Sequence, residues 1–211
     1  DHVESFSRIS RFMKQFGAVP GIQIAHAGRK ASANKTWEGD NHIETGKGGW
    51  DTIAPSAVPF GGLLPKVPQE MTVKDIERVR DAFVAAAQRA LAAGFEWLEL
   101  HFAHGYLAHE FYSPLANKRT DSYGGSFDNR IRFLLETFSA VRKVWPERFP
   151  LTARLSVTDW LEGGVTVEES IELVRQLKEA GLDLLDVSQG FVTPDISQIP
   201  WGPGFMIPIT S

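Results

Sequence analysis

The sequence predicts an α/β fold of the (β/α)8-barrel type. Helical and strand patterns alternate four times along the chain, which implies parallel strands joined by right-handed crossovers. Each strand pattern carries one polar and one apolar face, whereas strands sandwiched between two helix layers are apolar on both. The two longest loops follow strands, at the end where a barrel builds its site. No Gly-x-Gly-x-x-Gly follows a strand, so a doubly wound dinucleotide fold lacks its usual support. A whole barrel takes about 250 residues, and 211 residues with long loops leave room for less than a full one.

The elements follow in order. Residues 1–16 read as a helix, with Phe6, Ile9, Met13 and Phe16 at helical spacing and Gly17 as its stop. Residues 21–26 read as a strand. Residues 27–71 lose all periodicity, with Gly, Pro, Asn and Trp scattered through them. Loops this long inside a compact domain are functional or disordered. The Trp and Phe content favours an ordered capping loop within a single domain spanning 1–211. Thr72 is expected to cap a helix whose stripe is Ile76, Val79, Phe83, Ala87, Ala90 and Leu91, ended by Gly94. A strand over 97–101 follows. Residues 105–126 read as a second long loop, and Asp128 as the cap of a helix carrying Ile131, Leu134, Leu135, Phe138 and Val141. The third strand is expected at 151–156. Thr166 with Glu169 reads as a capping box, opening a helix that Gly181 closes. The fourth strand spans 184–188, and a tail rich in Pro and Gly runs from 194 to 211.

Composition narrows the function. A net charge of −4, with 43% hydrophobic and 23% charged residues, describes an ordinary soluble globular protein. A mildly acidic balance without a basic run argues against nucleic acid as a partner. No stretch approaches the roughly 18 apolar residues of a membrane span. The N-terminus lacks a secretory pattern. The absence of Cys excludes disulfides within this chain and fits a cytoplasmic setting.

Alternation along the strands sorts the candidate residues. Ile22, Ile24, Leu98, Leu100, Ala153, Leu155, Leu185 and Val187 share the face expected to meet the helices. Gln23, Glu99, His101, Thr152, Arg154, Ser156, Asp186 and Ser188 share the other. The second strand runs into His101-Phe102-Ala103-His104-Gly105-Tyr106. Two imidazoles and a phenol at the carboxyl end of a strand can grip an oxygen and hand over a proton. A histidine pair can also serve the core, or join His109 around a metal, although no third ligand has a recognisable spacing.

Three stretches carry a family resemblance. Gln23-Ile24-Ala25-His26-Ala27-Gly28-Arg29, the run His101 to Tyr106, and the run from Glu110 through Arg119 and Tyr123 to Arg130 are similar to signature segments of the old yellow enzyme family. That family consists of flavin-dependent ene reductases, and the resemblance is to its xenobiotic reductase branch. It spans nearly the whole chain in order, and Arg154 matches on its strand. It implies a TIM (β/α)8 barrel of which the four strands here are about strands 3 to 6. The chain then reads as the central part of a longer enzyme, without the N-terminal flavin contacts or the phosphate-binding loops.

The resemblance also implies roles. Noncovalent FMN is reduced by NADPH or NADH, then passes hydride to an α,β-unsaturated carbonyl or nitro compound. His101 and His104 bind the substrate oxygen, where two N–H donors would stabilise developing charge. Tyr106 supplies the proton. Gln23, Arg154 and His101 hold the cofactor, the guanidinium balancing negative charge on it. No metal is implied, and relatives form dimers or tetramers. Other readings stay open: Tyr106 packing at a loop edge, Arg154 in an ion pair with Glu99 or Asp186, an inactive half-barrel without flavin, or a flavin-free barrel lyase or hydrolase. His26, Trp37 and Trp50 are assigned to packing, and residues 117–121 to bracing hydrogen bonds.

Overall fold

The computed structural model describes residues 2–210. Asp1 and Ser211, the ends of the expected first helix and of the tail, lie outside the described residues. The elements are α1 (Val3–Gln15), β1 (Gly21–Ile24), β2 (Ile53–Ala54), β3 (Gln69–Glu70), α2 (Val73–Ala92), β4 (Trp97–Phe102), α3 (Leu107–Tyr112), α4 (Phe127–Arg142), β5 (Leu151–Ser156), α5 (Val167–Glu179) and β6 (Leu184–Ser188). β1, β4, β5 and β6 form one parallel sheet in that spatial order. β2 and β3 pair with each other inside the 27–71 excursion.

The sheet is wound in one direction only. Each new strand joins the same side of the one before, and the order never reverses as it would in a doubly wound sheet. Leu98, Leu100, Ala153 and Leu155 have no exposure and share one core with Phe83, Leu134, Phe138 and Leu173 of the helices. α2 packs on α4, and α4 on α5. The helices therefore cover the apolar face, and the polar face turns away from them. This is the arc of a (β/α)8 barrel, as the alternation predicts.

Several local expectations need correction. The residues after Gly105 are not simply a loop, because Leu107–Tyr112 form α3 with all six residues buried. The cap of α4 is Ser126, whose side chain accepts the Asn129 N–H, and Asp128 instead falls in the first turn. Thr72 makes a full capping box with Asp75. Thr166 makes only half of one: it accepts the Glu169 N–H, but the Glu169 carboxylate is drawn to Arg130. α1 forms as expected, yet its apolar stripe is not buried, with Ile9 46% and Phe16 74% exposed. Its main anchors are Phe6 edge-on to Phe95 and the Ser10 hydroxyl donating to Ala93 O.

Candidate active site

In-register pairing stacks the polar face into layers. Gln23 lies beside Glu99, and Glu99 beside Thr152. One layer nearer the carboxyl ends, His101 lies beside Arg154, and Arg154 beside Asp186. Ser156 and Ser188 pair above them. In the lower layer Gln23 Nε2 donates to Glu99 Oε1 at 2.7 Å, and Thr152 Oγ1 to Glu99 Oε2 at 3.1 Å. In the upper layer Arg154 Nε lies 3.3 Å from Asp186 Oδ2, close enough for an ion pair but not aligned for a hydrogen bond. Of the two carboxylates considered as partners for Arg154, the structure selects Asp186. Glu99 is taken by Gln23 and Thr152.

A cleft of about 860 Å³ opens over these layers. Its lining includes Gln23, His101, His104, Tyr106 and Arg154, so all five residues singled out from the sequence meet in one place. The His101 ring centre is 5.0 Å from that of His104 and 5.1 Å from that of Tyr106. His104 Nε2 bonds Ser188 Oγ at 2.5 Å. His101 Nδ1 is buried without a partner.

Charge on this rim favours neutral imidazoles. Burial first, then the positive charge of Arg154, pushes His101 down to about 4. Burial, then His101 and Arg154, pushes His104 to about 4 as well. At pH 7 each ring therefore carries a single N–H. A hydroxyl can donate into His104 Nε2, which leaves the proton on Nδ1 and available to a ligand.

Lys30, Phe60 and Phe191 are among the lining residues that the sequence did not point to. Lys30 closes the preceding loop over the rim: Nζ donates to His104 O at 2.9 Å and Phe191 O at 3.3 Å, and sits 4.4 Å from the Phe60 ring centre. Burial lowers Lys30 to about 8, with Glu110 opposing that shift. Phe60 and Phe191 add aromatic rings to the lining, beside Leu63, Leu64 and Pro194. No periodicity could have flagged them, since Lys30 and Phe60 come from the aperiodic 27–71 excursion and Phe191 from the loop after β6. The neighbouring Arg29 is 2% exposed and spends its guanidinium on Val58 O, Pro59 O and Val192 O. It pins both the 27–71 excursion and the loop after β6. Asn117 and Arg119 act as the expected braces, Arg119 reaching Pro55 O and Met71 O and Asn117 reaching Phe111 O and Tyr123 O.

His109 does not join the other histidines. It is fully buried, with Nε2 2.9 Å from Asp159 Oδ1. Among the described residues no three His, Cys, Asp or Glu side chains gather to hold a metal ion, and no helix is long and apolar enough to cross a membrane.

Residues 1–201 match the NADH:flavin oxidoreductase / NADH oxidase family. An NADPH dehydrogenase of Geobacillus thermodenitrificans is 43% identical over 208 residues, which are 99% of this chain and 55% of that protein. Among solved structures, a 2-naphthoyl-CoA reductase in complex with 2-naphthoyl-CoA superposes with a TM-score of 0.84 at 31% identity, covering 99% of this chain and 32% of the other. An old yellow enzyme homologue from Zymomonas mobilis gives 0.73 at 27% identity, covering 87% and 51%. The chain thus spans about half the length of the curated relatives it matches.

Proposed function

Because the chain belongs to the NADH:flavin oxidoreductase / NADH oxidase family, we propose that its cleft is the substrate side of an FMN-dependent ene reductase. The reductant is NADPH or NADH, and the substrate an α,β-unsaturated carbonyl or a nitro compound. The observation that carries this reading is the convergence of Gln23, His101, His104, Tyr106 and Arg154 on one cleft. The donors present suit FMN. An amide offers a donor and an acceptor, and the Arg154 guanidinium makes no hydrogen bond within the described residues. The side chain is 37% exposed and lies 3.3 Å from Asp186, which leaves guanidinium donors open to a bound ligand. Gln23 and Arg154 would hold the flavin, with His101 at its edge. Bound FMN would supply the hydride, after reduction by the nicotinamide nucleotide.

The protein's own part is polarisation and proton transfer. Neutral His101 and His104 each offer one N–H to the carbonyl or nitro oxygen, where negative charge grows. Tyr106 gives its phenolic proton to the substrate carbon. Phe60 and Phe191 give the cleft aromatic walls against which a flat substrate can pack. Assembly into a dimer or tetramer belongs to the same proposal.

Stopped-flow absorbance tests it. In Tyr106→Phe the FMN-loaded protein should still be reduced by NADPH at close to the normal rate. Its reoxidation by an enone should slow about a hundredfold. Equal reoxidation rates in variant and wild type would refute the role. One observation favours a second reading, an inert arc that does not retain flavin. β1 and β6 have no outer strand partner among the described residues, so the cleft is open where a closed ring would wall it.

A further inference from the structure

We propose that the buried pair His109–Asp159 is a positioning device, which fixes His104 and Tyr106 by gripping the turn between them. It rests on the reading that those two side chains face the substrate. Residues 103–106 form a tight turn, closed by the Tyr106 N–H donating to Ala103 O at 3.1 Å. Both central residues lie at positive φ, His104 at 59° and Gly105 at 66°, as a type I′ turn requires. A histidine adopts that conformation only when its surroundings hold it there. Glycine is required next to it, because a Cβ on Gly105 would stand 2.1 Å from Phe191 O.

Three contacts from outside hold the turn. The His104 N–H donates to Ser156 Oγ at 2.9 Å, and Lys30 Nζ donates to His104 O at 2.9 Å. The third comes from beneath: the Gly105 N–H donates to His109 Nδ1 at 2.9 Å. An imidazole that accepts at Nδ1 must carry its proton on Nε2. That atom faces Asp159 Oδ1 at 2.9 Å, a short contact off the line of a good hydrogen bond. The other Asp159 oxygen accepts from Ser113 Oγ at 2.7 Å and from the Val165 N–H at 2.8 Å. Both side chains have no exposure. The hydroxyl and the amide therefore set the carboxylate, the carboxylate sets the imidazole tautomer, and the imidazole sets Gly105. His109 does not line the cleft, so its effect must pass through the turn.

The wild-type protein gives the first test. Long-range ¹H–¹⁵N spectra of the His109 ring should show a neutral Nε2–H tautomer, and the Gly105 amide should exchange slowly. A proton on Nδ1 would overturn the proposal, since Gly105 would then have no acceptor. This holds whether or not a variant folds. Kinetics give the second test, with Tyr106→Phe as the control. Asp159→Asn should lower kcat for enone reduction about tenfold or more, with a much smaller change in KM for NADPH. His109→Asn, which keeps an acceptor near Nδ1, should recover part of what His109→Leu loses. If Tyr106→Phe slows turnover while Asp159→Asn and His109→Leu leave both turnover and Gly105 exchange unchanged, the positioning role is wrong. If Tyr106→Phe has no effect, the functional reading falls and the positioning role with it.

Discussion

A neutral imidazole donates one hydrogen bond and accepts another, so the protonation of a few buried groups decides what this cleft can do. His101 and His104 are held down to about 4 by burial and by positive neighbours, which keeps them uncharged donors at neutral pH. The unfolded chain binds those protons near 6.5. These two groups therefore make stability fall as pH drops from about 6.5 toward 4. Glu110 works in the other direction. It has no exposure, accepts the Arg29 N–H at Oε1 and leaves Oε2 unpartnered. Burial raises it to about 8, with Arg29 opposing. The folded state then holds a proton that the unfolded chain has released above its ordinary value of 4.5. Stability is full below 4.5 and is lost as pH rises through 8, with a slope approaching about 1.4 kcal/mol per pH unit. Glu110→Gln keeps the acceptor for Arg29 and cannot ionise. In urea denaturation between pH 5 and 8, its stability relative to wild type should therefore climb steadily. A difference that stays flat with pH would show Glu110 to be ionised in the folded protein.

At the scale of elements, caps and buried faces explain both what forms and what the sequence conceals. Thr72 and Asp75 satisfy each other's backbone N–H groups at the start of α2, and Thr72→Ala should cost about 1 kcal/mol in denaturant unfolding. A loss below a few tenths would mean that the end of α2 is frayed without consequence. The two-residue alternation of the strands was legible from the sequence, and with it the placing of Gln23, His101 and Arg154 on one face. α3 was not. A helix is recognised by a polar side, and Leu107–Tyr112 are buried on every side, His109 and Glu110 included. The half-made box at Thr166 was equally hidden, because the partner that diverts Glu169 is Arg130 on another helix. Lys30, Phe60 and Phe191 belong to the rim through tertiary contacts alone. Nothing in the aperiodic stretch 27–71 foretold how it is fastened, which the buried guanidinium of Arg29 shows.

At the scale of the whole molecule, a singly wound sheet with helices on one side must leave its other face to something else. In this chain that face is polar in every strand, and its part on β1, β4 and β5 floors a cleft of about 860 Å³. A packed interior would have filled it with apolar side chains. Gln23, His101 and Arg154 of the two layers form its base, and loops pinned by Arg29 and Lys30 form its rim. The most direct test is titration of the protein with FMN, followed by quenching of flavin fluorescence, in wild type and in Arg154→Ala. Saturable binding at one flavin per chain is expected, weakened about tenfold or more when the charged hydrogen-bond donor is removed. Absence of saturable binding, or the same affinity in both proteins, would contradict the assignment of this cleft to a flavin.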